Sequence, residues 1–456
     1  MSVSQEALKS IEETKTKYLR MLTALYFIAG FFWTFSSVGS TVLFKEKARA
    51  PETFILSMLV LMASNGVWEI LTGWYADKFR RRISMSGGFF FCFLGFVIMV
   101  FAPFVADQPE KTILLREPKF FIWATGVAVW SLGPALLSGA LEAWLVDRCN
   151  FLSANPPEKL DDVFKKAAKR GVIFKALGSL ICFFVLFLFI VANGPGDPSG
   201  LAFLLCGGPA AILSFGFFFY SLKAKEEYWT DPKYQSDESL FAFLWESLKD
   251  LWKVPYRWFT LAFIGATTLN YVLSFTIWPY LKDEPTLRIL GNDRIVGAAA
   301  LAIVVIELAA GFISGYFSRR IDRINEPRWR MPAASLMYLA PVIPLYSAYL
   351  FSRSASTFLL VLIAATFFFR TAHASVFGTL NAVGQRAIQS DERRAVLLSM
   401  SSALAAFFVA GVLLIVNNYS RDSVSESIEV SWLYLTLPGI LMLAVGGYLV
   451  SRKKGA

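Results

Sequence analysis

Twelve apolar runs, each long enough to cross a bilayer, leave this chain little choice of fold. They lie at roughly 20–43, 53–76, 83–105, 120–146, 171–193, 200–222, 257–281, 295–318, 331–352, 357–381, 395–417 and 430–451. About twenty apolar residues wound as a helix match a hydrocarbon layer of ~30 Å, and a helix satisfies every backbone N–H and C=O without water. The expected fold is therefore an all-α polytopic membrane protein with twelve transmembrane helices. Composition agrees: of 456 residues, 56% are hydrophobic and 17% charged, whereas a soluble domain carries about 25% charged residues. The 43 Phe and 13 Trp suit lipid-facing surfaces with aromatic belts at the interfaces.

An even number of spans puts both termini on one side, and the cations say which. Loops on the side of the termini carry about three times as many Lys and Arg as the opposite loops, which makes both termini cytoplasmic in a cell membrane. The formal charge of +10 would suggest nucleic acid in a soluble chain; here the cytoplasmic loops account for it. Met1 to Arg20 is polar and mixed in charge, which does not fit a cleaved signal peptide, so the first span is expected to direct export. One His and four scattered Cys give no metal-ligand spacing, and no cofactor is expected.

The longest polar segment, Lys223 to Arg257, divides the spans six and six. The expected organisation is an N-terminal bundle with its cytoplasmic tail over 1–222, a cytoplasmic linker over 223–256, and a C-terminal bundle over 257–456. Within the linker Leu240, Phe243, Leu244, Leu248 and Leu251 recur at helical spacing, the pattern of an amphipathic helix on the inner membrane surface. The halves also echo one another. Ser138-Gly-Ala-Leu-Glu142-Ala ends span four and Phe377-Gly-Thr-Leu-Asn381-Ala ends span ten. Gly73-Trp-Tyr-Ala-Asp77-Lys78 follows span two and Gly315-Tyr-Phe-Ser-Arg319-Arg320 follows span eight, as an internal duplication predicts.

Ionisable groups inside spans are the first functional candidates, since each costs about 2.5–3.5 kcal/mol at the bilayer centre. Glu307 lies midway along span eight and Arg370 midway along span ten, with His373 one turn on. Neither Glu307 nor Arg370 reaches an interface easily, so they face each other or a wet cavity. One reading is a buried Glu–Arg pair that locks the C-terminal half. The other is a solute site in which Arg370 binds an anionic or polar group while Glu307 or His373 exchanges a proton. A lone His equally serves as a hydrogen bond between helices, although its titration near neutrality suits proton exchange. Lys175 stands about one turn from the edge of span five and can snorkel there.

Spans two and three are joined by only a few residues, Gly73-Trp-Tyr-Ala-Asp77-Lys78-Phe-Arg80-Arg81-Arg82. So short a loop makes the two spans antiparallel neighbours, and Gly73 lets helix backbones approach closely. The stretch resembles the cytoplasmic loop motif of the major facilitator superfamily, Gly-x-x-x-Asp-(Arg/Lys)-x-Gly-Arg-(Arg/Lys), with Arg80 standing where that family usually has its second Gly. More narrowly, Glu69-Ile-Leu-Thr-Gly73 resembles the Glu-(aliphatic)-Pro-Thr-Gly of a broad bacterial subgroup, with Leu71 in place of Pro. Ser138 to Asp147 and Arg394 to Ser399 resemble two further stretches of that subgroup.

The resemblance implies two six-helix bundles and a secondary active transporter, not an enzyme. It would move a small organic solute, anionic or amphipathic, by alternating access, with protons as the coupling ion and a monomer as the working unit. Spans one, four, seven and ten would line the path, with Trp33, Trp130, Asn270, Tyr271, Arg370 and His373 as solute contacts and Glu307 and His373 as proton carriers. Gly73, Asp77, Lys78, Arg80, Arg81, Arg82, Glu69, Glu142 and Asp147 would form the gating network, the carboxylates pairing with the arginines. A multidrug/proton antiporter is the alternative, although span four has Trp130-Ser-Leu-Gly133 in place of the Arg-x-x-Gln-Gly of such antiporters, and span five lacks their Gly-Pro. A receptor or scaffold built on the same fold is an alternative of another class. No phosphate-binding Gly-x-x-x-x-Gly-Lys-Ser/Thr loop occurs, which points to an ion gradient as the energy source. The topology has a direct test: a cysteine at position 46 should label only from outside sealed cells, and one at position 320 only from inside. Labelling of both from one face would contradict the twelve-span arrangement.

Overall fold

The computed structural model describes residues 5–44, 50–78, 80–105, 117–152, 160–193, 200–227, 239–253, 256–283, 305, 309–310, 312–314, 316–317, 319–321, 323–324, 326–340, 342–343, 347, 355–387, 394–420 and 436–452. No strand occurs among them. In the first half, α1 (Gln5–Thr34) continues through a π-helical turn, Phe35–Gly39, and is followed by α2 (Ala50–Lys78), α3 (Arg81–Phe101), α4 (Pro118–Leu137), α5 (Ala140–Leu152), α6 (Leu160–Asn193) and α7 (Gly200–Leu222). After the linker helix α8 (Leu240–Leu251) come α9 (Tyr256–Asp283), α10 (Pro327–Leu336), α11 (Ala355–Ala387), α12 (Arg394–Ser420) and α13 (Leu437–Arg452).

Length and apolarity alone let five stretches cross a membrane among the described residues: Leu56–Ala76, Arg81–Phe104, Pro118–Leu152, Phe203–Leu222 and Val396–Ile415. They coincide with the expected spans two, three, four, six and eleven. Span one runs from α1 through the π-helical turn and a short helix, Ser40–Leu43, and spans five, seven and ten lie within α6, α9 and α11. Most of span eight, Glu307 included, lies outside the described residues. The chain is a multi-pass, all-α membrane protein.

Two details depart from the sequence reading. Span four is two helices rather than one. Pro134 has no N–H to close the preceding turn; four residues later the Ser138 amide bonds the Pro134 carbonyl at 2.7 Å, and Gly139 turns through a left-handed φ of 27° before α5 begins. Only glycine adopts that backbone without strain. The turn between spans two and three, by contrast, needs no glycine. Arg80 caps α3 with an ordinary extended backbone, φ −66° and ψ 127°, and its carbonyl accepts the Ile83 amide at 2.9 Å.

Neighbour relations in the first half recur in the second. In the first, α1 packs on α5, α6 and α7, and α3 on α4 and α7; in the second, α9 packs on α11, α12 and α13, and α10 on α11 and α13. Each half has its own apolar core, one built around Phe32, Phe96, Trp123 and Trp144, the other around Phe259, Tyr338, Phe369 and Leu443. Helix α8 starts from a Ser239 cap whose hydroxyl accepts the Ala242 amide, and it presses Phe243 and Leu251 into the second core. Its outer stripe, Phe241, Trp245, Leu248 and Trp252, is exposed, the apolar face expected of a helix lying at a membrane surface.

The halves meet chiefly along α2 and α12. A Cβ added at Gly73 would lie 2.8 Å from the Val396 Cα, and one added at Gly66 would lie 2.8 Å from the Phe407 ring. The Gly73 contact is backbone against backbone and cannot be relieved by a rotamer change. Gly73→Val is expected to destabilise the closely packed form by about 1–3 kcal/mol, the usual range for overpacking. A lowered thermal midpoint of the purified protein would show it, and an unchanged midpoint would contradict the contact.

Candidate functional site

Three helices bring polar groups together at mid-membrane depth. On α11, Arg370 is half-buried and donates from Nη1 to the Asn270 Oδ1 of α9 at 2.7 Å. One turn further, His373 Nδ1 lies 3.3 Å from the Tyr338 hydroxyl beyond α10, and its ring rests on Phe377 with centroids 5.2 Å apart. From the other half, the Lys175 ammonium of α6 sits 5.2 Å above the Trp33 ring of α1. Both Lys175 and Arg370 act electrostatically on His373, and α6 packs directly against α11. The sequence suggested that Lys175 snorkels to the membrane edge; the ammonium instead turns toward Trp33, where an aromatic face offers it electron density.

Arg370 and Asn270 are hydrogen-bonded, His373 follows one turn along α11 with Tyr338 as its partner, and Trp130 lies elsewhere. Trp130 is 5% exposed and stacks on Phe32 at 3.5 Å between ring centroids, inside the first core. It is a packing residue in this arrangement. Tyr271 belongs to α9, but its side chain, like the whole of Glu307, is outside the described residues.

At the charged end of the bundles lie the residues for which the resemblance implied a gating role. Arg81, 1% exposed, pairs with Asp147, 0% exposed, across α3 and α5. Lys78 covers Trp74 at 5.2 Å from the ring centroid, and Arg80 is exposed. Asp77 falls in the last turn of α2, with its side chain outside the described set. Glu142 acts electrostatically on Tyr18 and Tyr26 of α1. Glu69 is 2% exposed and accepts hydrogen bonds from Ser138 at 2.7 Å and from Ser402 of α12 at 3.0 Å.

Sequence reasoning passed over the strap that closes this end. After α7 the chain folds back over the first bundle: Trp144 Nε1 donates to the Lys225 carbonyl at 3.0 Å, and the Arg82 amide donates to Glu226 Oε1 at 2.7 Å. Arg148 pairs with Glu227 and donates from Nε to Thr14 Oγ1 at 2.9 Å, tying strap, α5 and α1 together. Burial raises the Glu226 carboxyl above the usual carboxylate range, while the Arg82 amide and the surrounding arginines pull the other way. Arg148 looked like one more loop cation in sequence. Its place directly after Asp147, in a largely apolar helix, was the available signal.

No family model and no curated protein sequence matches the chain. Solved structures do, over nearly its whole length. The major facilitator proton:xylose symporter XylE bound to 6-bromo-6-deoxy-D-glucose superposes with a TM-score of 0.61 at 14% identity, covering 96% of this chain and 95% of that one. A bacterial homologue of the iron transporter ferroportin, in its outward-facing state, gives 0.60 at 15% identity over 96% and 100%. The E. coli fucose:proton symporter FucP gives 0.61 at 13% identity over 95% and 98%. The chain has the major facilitator fold. At such identities the likeness speaks for architecture, and within the major facilitator fold α1, α9 and α11 carry spans one, seven and ten. Trp33, Asn270, Arg370 and His373 all come from those three helices.

The strap supplies a pH test. Lys17, just ahead of the first span, lies 5.3 Å from the Tyr220 ring centroid and is pushed down to about 8 by burial, then by Arg148, Lys223 and Lys225. Its unfolded value is 10.5, so between these pH values the unfolded chain binds more protons and stability rises with pH. The thermal midpoint should gain more from pH 8 to 10.5 in the wild type than in Lys17→Met. Parallel curves for the two proteins would contradict the assignment.

Proposed function

We propose that the chain is a proton-coupled secondary active transporter that carries a small organic anion across a cell membrane by alternating access. One observation carries the reading: a cation from each bundle, Lys175 and Arg370, acts on the same His373 where α6 meets α11. Cations brought to one place from the two bundles favour an anion between them. Such an anion binds better when the bundles embrace it than when they part, and that difference in affinity is what shifts a conformational equilibrium. Asn270 steadies the Arg370 fork, whose planar donors suit a carboxylate or phosphate. Trp33 supplies apolar surface for the rest of the solute.

In this reading Glu307 and His373 exchange the coupling proton, and Gly73, Asp77, Lys78, Arg80, Arg81, Arg82, Glu142 and Asp147 control closure at the cytoplasmic end. The named structural neighbours include symporters for neutral sugars and a homologue of an iron transporter; the paired cations support an anion here instead. The working unit is a monomer with cytoplasmic termini in a bacterial inner membrane.

A thermal-shift screen of carboxylates, phosphates and neutral sugars on purified protein, followed by flux in proteoliposomes, tests the reading. Arg370→Ala should abolish solute binding and Arg370→Lys restore it only in part, since Lys keeps the charge but loses the fork. Lys175→Met should weaken binding about tenfold, ~1.4 kcal/mol. Glu307→Gln should bind solute yet lose dependence on the proton gradient. Stabilisation by neutral sugars alone, unaffected by either cation substitution, would overturn the anion assignment.

A further inference from the structure

Glu69 lies in the seam between the bundles, on α2 one turn before Gly73, and is 2% exposed. Its Oε2 is 2.7 Å from the Ser138 hydroxyl at the break in span four, and its Oε1 is 3.0 Å from the Ser402 hydroxyl of α12. Asn65 on its own helix and Ser399 on α12 complete the shell. A single carboxyl thus ties the first bundle to the second through neutral groups.

The charges on the helices packed around it are engaged elsewhere. α12 has no titratable side chain between Val396 and Ile415, and the one ionisable residue of α4, Lys119, is at its opposite end. On α5, Asp147 pairs with Arg81 of α3, Arg148 pairs with Glu227, and Glu142 acts on Tyr18 and Tyr26. Arg82 of α3 donates its amide to Glu226 of the strap. On α9, Tyr256 accepts from Ser401 and Arg257 lies over Trp258; on α8, Glu246 pairs with Lys249 and Asp250 with Lys253. On α2 itself, Lys78 covers Trp74, and Tyr75 and Asp77 lie beyond Gly73.

An ionised carboxylate sealed in such a shell bears a large desolvation cost, with no cation among its described contacts to offset it, whereas the neutral acid does not. The Ser138 geometry fits the neutral acid. Its one hydroxyl proton has two acceptors in reach, Glu69 at 2.7 Å and the Ala135 carbonyl at 3.2 Å. When that proton serves the helix carbonyl, a proton on Glu69 makes the shorter contact.

We propose that Glu69 is a proton-binding site that latches the two bundles together. With its proton it remains in the closed α2–α12 seam. Having released that proton to water on the charged side, it requires hydration that only a parted seam supplies. Rising pH therefore opens this end. The latch rests on the alternating-access reading above but is separate from the solute site: it sets how readily the bundles part, whatever is carried.

The test uses the full chain in lipid nanodiscs with spin labels on Lys169→Cys, exposed on α6 of the first bundle, and Arg394→Cys at the start of α12, the four native cysteines being buried. In the otherwise wild-type protein the inter-label distance should lengthen as pH is raised. Glu69→Gln, which cannot ionise, should hold the short distance at every pH, and Glu69→Asp should keep the response. Ser402→Ala, which leaves the carboxyl in place, should also keep a pH response, at a shifted midpoint. If Ser402→Ala loses the response as completely as Glu69→Gln, Glu69 is a structural hydrogen-bond acceptor and the latch is overturned. Labels that part identically in wild type and Glu69→Gln would overturn the latch alone. Labels that never part in wild type, at any pH or with an anion found in the solute screen, would overturn alternating access together with it.

Discussion

How closely α2 and α12 can lie determines what the rest of the charged end can do. Lipid gives two helices no hydrophobic reason to associate, so packing and polar contacts must hold them. Gly73 and Gly66 remove the side chains that would keep the helices apart. That proximity brings Ser399 and Ser402 to Glu69 and sets Trp74 against the second core. A bulkier residue at Gly73 would separate the polar contacts as well as the backbones.

Charge is used in two ways in this chain. Within the first bundle it is fixed: Arg81 with Asp147 and Arg148 with Glu227 bind α3, α5, α1 and the strap into one body. Such buried pairs add little net stability but penalise loss of either partner heavily. At the seam between the bundles the contact is of another kind: Glu69 accepts from the Ser402 hydroxyl of α12. Lys175 over Trp33 and Arg370 on Asn270 are contacts within the first and second bundle respectively, beside the place where α6 packs on α11.

Much of this was legible in the sequence because span length and loop charge are one-dimensional properties. Twelve apolar runs imply the helices, Gly73 stands out from the short loop after it, and the pairing of Asp147 with the loop arginines is what the resemblance to the loop motif implies. What could not be read was which way each helix faces. In a soluble helix the polar stripe marks the outside, but here the lipid face and the packed face are both apolar, so Trp130 could not be told from a path-lining residue and Lys175 could not be aimed at Trp33. The bond between Glu69 and Ser402 joins residues 333 positions apart. Two serines in an apolar span carry no signal of that partnership. Arg80 was misleading in the other direction, since its extended backbone makes the turn without the glycine that the motif normally supplies.

The break in span four has a mechanical consequence. A continuous helix transmits torque from end to end, but a joint at Ser138–Gly139 does not. The inner lever, α5, is bolted down through Trp144, Asp147 and Arg148. The outer lever, α4, is held by separate fastenings: Thr72 to the Ala135 carbonyl, and Trp130 against Phe32. The two halves of the span therefore take their orientations from different contacts, α4 also from its close glycine packing on α3 at Gly95 and Gly133, α5 from the charged network. One transmembrane segment answers to two sets of neighbours, with the turn at Gly139 absorbing the difference.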